Sequence, residues 1–110
     1  MLKSKHELTA VHQTMILCGH NHIPRIVQLS AGRLVVNPGS VGLPAYSDDL
    51  PVAHKMENGS PHARYAVISK TATAWAVEQI AVPYDWNKAA RQARRLGQEE
   101  WAVWLETGWA

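Results

Sequence analysis

A single cysteine, Cys18, leaves no partner for an internal disulfide and fits a reducing compartment. No apolar run approaches the roughly 18 residues of a membrane span. The opening residues, Met1-Leu2-Lys3-Ser4-Lys5-His6-Glu7, have no apolar core of the kind a secretory leader needs. Lys and Arg are only mildly clustered and the formal net charge is +2. The dense basic face of a nucleic-acid binder is missing, so neither nucleic acid nor membrane is expected as a partner. Together these absences point to a soluble, cytoplasmic protein. A length of 110 residues suits one small domain, 1–110. Hydrophobic residues make up 46%, enough for a core, although so short a chain keeps much of its surface exposed.

The order of elements reads as hairpins followed by helices. Residues 5–12 suggest a short helix, with Ser4 as N-cap and Glu7 three positions on. Met15-Ile16-Leu17-Cys18, stopped by Gly19, reads as a buried strand. Residues 23–30 and 33–36 form a hairpin about Ala31-Gly32. Residues 45–62, with Asp48-Asp49, Pro51, Asn58-Gly59 and Pro61, show no period and read as a long surface loop. A second hairpin joins 64–69 to 73–82, with a slip in its alternation between Val77 and Ile80 that suggests a bulge. Asp85 caps a helix ending at Gly97. A final short helix carries Trp101, Trp104 and Leu105. Arg91, Arg94 and Arg95 read as a solvated helix face, the tryptophans as core or interface anchors, and Cys18 as an inert core thiol.

Chemistry concentrates in Gly19-His20-Asn21-His22, directly after an apolar strand. Two histidines at i and i+2 of extended chain point the same way, with Cα atoms about 6.6 Å apart. That spacing suits ligands of a two-metal site with ions roughly 3.5–4 Å apart. Neutral imidazole favours Zn, Mn, Fe or Ni over Ca or Mg. Taken alone, Gly-His-x-His is also what two ordinary loop histidines look like. A hairpin later comes Asn37-Pro38-Gly39-Ser40-Val41-Gly42. Asn37, preceding proline, is held extended, and Pro38-Gly39 suits a type II turn that would support the floor of a site.

Strand, Gly-His-x-His, hairpin, Asn-Pro-Gly-Ser-x-Gly and then a strand bearing Arg64-Tyr65-Ala66-Val67 resembles the small bacterial and archaeal calcineurin-like metallophosphoesterases. The resemblance runs from residue 16 to about 85 and matches only the second half of such a domain. It implies an α/β fold: this chain would be the β-rich, C-terminal half of a four-layer sandwich, α+β taken by itself. It further implies hydrolysis of a phosphate ester by two divalent ions (Mn, Fe, Zn or Ni), with His20 and His22 each ligating one. Asn21, where the family often has Thr, receives no ligand role. Asn37, Gly39 and Ser40 would contact substrate or support the site. His54 and Arg64 would either touch a substrate phosphate or be exposed loop residues, and the second is favoured. The Asp48-Asp49 pair is taken as solvated.

The family's Asp-x-His, Gly-Asp-x-x-Asp and Gly-Asn-His-Asp/Glu strings do not occur in this sequence. Two imidazoles without anionic ligands cannot neutralise two dications, so weak metal binding and no complete catalytic set are expected of this chain by itself. The alternative function is a non-catalytic interaction scaffold on the same fold. Sheets deprived of the family's first half would leave apolar faces or edges open, so a homo-oligomer is expected.

Overall fold

The computed structural model describes residues 13–49 and 51–110; the helix expected at 5–12 lies outside them. The short apolar run before Gly19 forms β1 (Met15–Leu17). β1 pairs in parallel with β3 (Leu34–Asn37), which pairs antiparallel with β2 (Arg25–Gln28), giving the order β1-β3-β2. Ala31 and Gly32 turn the β2–β3 hairpin, both with left-handed φ of 60° and 69°. Leu29 N–H closes that turn on the Arg33 carbonyl at 2.8 Å.

The stretch 45–62 is not one long loop. β4 (Ala45–Asp48) and β5 (His54–Glu57) form a second hairpin, in register from Ala45↔Glu57 to Asp48↔His54. Each strand has four residues, too few to display a period against the Asp and Pro around them. Their pairing leans on tertiary contacts that the local sequence does not reveal.

β6 (Ala63–Lys70) and β7 (Trp75–Val82) form a twisted ribbon of eight cross-strand pairs, unbroken from Ala63↔Val82 to Lys70↔Trp75. The slip at 77–80 is therefore no bulge. Trp75 and Val77 are half-buried on one face, Ile80 and Val82 on the other. A long two-stranded ribbon twists strongly, so different faces are covered at its two ends. One face docks on the three-stranded sheet: Trp75 Nε1 donates to Thr14 Oγ1 at 3.1 Å, and Gln79 Nε2 to the Asn37 carbonyl at 3.2 Å.

Two helices complete the chain. α1 (Trp86–Arg95) starts where Asp85 Oδ1 accepts from Lys88 N–H at 3.0 Å. α2 (Glu99–Thr107) carries Glu99 and Glu100 in its first turn, where the helix dipole favours them. Ala90 and Ala102 are fully buried between the helices beside Leu105, and such small residues allow close approach. Arg94 is not simply solvated. Its guanidinium hydrogen-bonds Glu99 and Glu106 of α2, and its hydrogen bonds hold the Glu106 carboxyl below the usual range.

The end of α2 is stitched to the β4–β5 hairpin. Gly108 adopts φ 77°, its carbonyl accepts from Gly59 N–H at 2.9 Å, and a Cβ there would overlap the Ser60 backbone. Only glycine meets both demands. Ala110 N–H donates to Glu57 Oε2 at 2.9 Å, and Lys55 Nζ to the Ala110 carbonyl at 3.1 Å. These bonds bring the tryptophan face of α2 against the hairpin.

The result is a mixed α+β arrangement with small cores rather than one large one. Leu29 and Val35 are packed by Ile16, Cys18 and Val27, and the interhelical alanines pack separately. The radius of gyration of 16.1 Å, with extents of 49 × 31 × 18 Å, is above the ~13 Å radius of a compact 100-residue domain. Among the described residues, no helix is long and apolar enough to cross a membrane.

Candidate metal-ligand cleft

The residues after β1 do not continue extended. Cys18 N–H still reaches the Val36 carbonyl at 3.0 Å, but His22 N–H then turns back to the Gly19 carbonyl at 3.2 Å. His20 and Asn21 occupy the middle of this turn, and His22 sits left-handed at φ 62°. The extended i, i+2 geometry expected from the sequence is thus replaced by a tight turn. A non-glycine residue there is uncommon and needs surrounding structure to hold it.

That structure is present. His22 Nδ1 lies 3.1 Å from the Leu43 carbonyl, the His22 carbonyl accepts from Asn58 Nδ2 at 3.0 Å, and the ring meets Tyr46 edge-on at 5.3 Å. A carbonyl can only accept, so Nδ1 carries the proton of this contact, and in the neutral ring Nε2 keeps its lone pair. This is the tautomer of a metal-ligating histidine oriented by a backbone carbonyl.

The two motifs are joined through asparagines. Asn21 is buried, and its Oδ1 accepts from Ile23 N–H at 3.1 Å and from Asn37 Nδ2. Asn37, 1% exposed, uses its own Oδ1 to accept from Gly39 N–H at 3.0 Å. Gly39 has φ 93°, and a Cβ there would lie 3.0 Å from Arg64 Cβ and 3.3 Å from Pro24. Ser40 Oγ accepts from Leu43 N–H at 2.9 Å, which aims the Leu43 carbonyl segment at His22. Asn37, Gly39 and Ser40 therefore brace the histidine turn from outside the cleft. Asn21, given no role on the sequence, is the other half of that brace.

A cleft of about 420 Å³ opens over this floor. His20, Asn21 and His22 line it from the turn. Tyr46, Asp48, His54 and Met56 line it from one face of the β4–β5 hairpin, as two neighbouring cross-strand pairs. Trp101 and Trp104 line it from α2. Burial, and then the charge of Asp48, raises the Tyr46 hydroxyl above its ordinary pKa, so it stays a neutral phenol. His54 faces the cleft with Nδ1 2.7 Å from the Val52 carbonyl; Asp48 and Asp49 are both exposed, and Asp48 of the two lines the cleft. Arg64 does not line it; its Nη2 donates to Ser60 Oγ at 2.8 Å. His62 packs on Trp86 at 5.3 Å, outside the cleft. Cys18 lies elsewhere too, and desolvation raises its thiol pKa, which makes it a poor nucleophile.

The metal pair implied by the motif resemblance fits this site in part. His22 has the required tautomer, and His20 is exposed on the same cleft. Among the described residues, no group of three or more His, Cys, Asp or Glu is placed to hold a metal ion. Among the described residues, the turn thus offers the cleft two imidazoles without a grouped third donor. No protein-family model matches the chain, and no curated protein matches it either. The resemblance therefore rests on the two motifs.

The residues missed on the sequence are Tyr46, Met56 and Asn58, hidden in a stretch read as loop, and the cleft-lining use of Trp101. The one available signal was the i, i+2 placement of Tyr46 with Asp48 and of His54 with Met56. Nitrogen-15 NMR of the histidine rings at about pH 9, where an unperturbed imidazole is neutral, checks the local geometry. His22 is expected as the Nδ1–H tautomer; an Nε2–H tautomer would contradict the Leu43 contact.

Proposed function

We propose that this chain contributes the paired-histidine segment of a dinuclear metal-dependent phosphoesterase of the calcineurin-like type. The observation that carries the proposal is His22: a left-handed residue whose Nδ1 is tied to a backbone carbonyl, leaving Nε2 as a ligand beside His20 in one cleft. When bound, the ions would polarise a phosphoryl oxygen and activate a water. His20 and His22 would each hold one ion. The carboxylate and further ligands would come from chain segments other than those described. Asn37, Gly39 and Ser40 hold the ligand turn in place rather than touching the ester.

Titration of the labelled chain with Mn²⁺ tests this directly. The ring signals of His20 and His22 are expected to broaden first, and His22→Ala to abolish the effect at His20. Broadening centred on His54 or His62 would count against the assignment and leave the scaffold alternative in its place. Turnover of bis-p-nitrophenyl phosphate by these 110 residues is expected to be negligible. Robust hydrolysis lost in His22→Ala would mean that the chain completes a site by itself.

The same proposal includes self-association. Among the described residues β1 is an edge strand, with Leu17 64% exposed, and beside it a groove is lined by Leu17, Cys18, Val36, Pro38, Ala66 and Ile68. Tyr65 and Val67 are exposed on the outer face of the ribbon. Open edges with apolar side chains are commonly covered in solution. A dimer is expected by sedimentation velocity at micromolar concentration, weakened by Leu17→Lys; a monomer at all concentrations would refute it.

A further inference from the structure

Resting on the phosphoester reading of the cleft, we propose that its ligand is an organic phosphate whose carbon-bound portion is a planar aromatic ring. The ring would sit against Tyr46 and Trp101, with the phosphate at His20 and His22. The walls argue for this. A cleft of about 420 Å³ falls in the range that encloses small organic ligands.

Its lining is built of rings. His22 meets Tyr46 at 5.3 Å, Tyr46 meets His54 at 6.1 Å, and Trp101 meets Trp104 at 6.0 Å. Met56 adds a polarizable thioether suited to aromatic contact. Trp101 lines the cleft and is 44% exposed in all, although its neighbour Trp104 is buried. An exposed tryptophan lining a cavity is an anchor in search of a flat apolar surface.

The ring wall also begins at the ligand itself. Any group held at His22 lies within one ring contact of Tyr46. A phosphate on a small polar alcohol would leave those surfaces wet and unused.

Calorimetry on the 110-residue chain in Mn²⁺ buffer tests the proposal, with 1-naphthyl phosphate, glycerol phosphate and 1-naphthol as probes. Naphthyl phosphate is expected to bind at least about tenfold tighter than glycerol phosphate, a difference of 1.4 kcal/mol. Trp101→Ala should remove most of that ratio while leaving glycerol phosphate unchanged, and Tyr46→Leu should lower the ratio as well. Trp101 is exposed, so its variant decides the matter should Tyr46→Leu fail to fold. Equal binding of the two phosphates, both lost in His22→Ala, would overturn the ring seat while sparing the phosphoester reading. Naphthol binding as tightly as naphthyl phosphate, unaffected by His22→Ala, would overturn both. Failure of naphthyl phosphate to bind at all would also overturn the ring seat.

Discussion

The hydrogen bond between Asn37 and Asn21 is the link on which the cleft depends. It is buried and joins the end of β3 to the turn after β1. Each asparagine also closes its own turn, Asn21 on Ile23 N–H and Asn37 on Gly39 N–H. One buried pair thus fixes two loops that carry different parts of the candidate site. A buried side-chain amide left without its partner costs about 1–3 kcal/mol, so the pair resists replacement of either member. The left-handed His22 follows from this bracing, since its strain is held by neighbours on both sides in sequence and in space.

The second constraint is the clamp between the chain's last residues and β5. Gly108 must be left-handed and must pass against the Ser60 backbone, and Ala110 and Lys55 extend the seam. Without that seam, α2 would have no fixed relation to the hairpin, and Trp101 and Trp104 would not close the cleft over His22. Arg94 fixes α1 to α2 through two carboxylates. Contacts outside the cleft therefore hold the helix that carries Trp101 and Trp104 against the hairpin that walls it.

Much of this was legible locally. The run before Gly19, the Ala31-Gly32 turn, the β6–β7 ribbon and the helix capped by Asp85 follow from period and turn chemistry and appear where the sequence puts them. The hairpin at 45–57 did not, because four-residue strands show no period and tertiary contacts hold them. The histidines were picked out by their spacing, yet their conformation was not. Extended backbone was expected, and Gly19 with the buried Asn21 makes a turn instead. Asn21 itself was invisible as a structural residue, since its partner lies 16 positions away. His54 reached the cleft and Arg64 did not, because His54 lies on the β4–β5 hairpin that walls it and Arg64 on the β6–β7 ribbon.

A double-mutant cycle on Asn21→Ala and Asn37→Ala, read as unfolding free energy in urea, tests the brace most directly. Each single variant is expected to lose about 1–3 kcal/mol. The double variant should fall short of the sum by at least about 1 kcal/mol, because the second substitution removes a contact that is already gone. Losses that simply add, within about 0.5 kcal/mol, would mean that the two asparagines act independently and that the histidine turn is not held by Asn37.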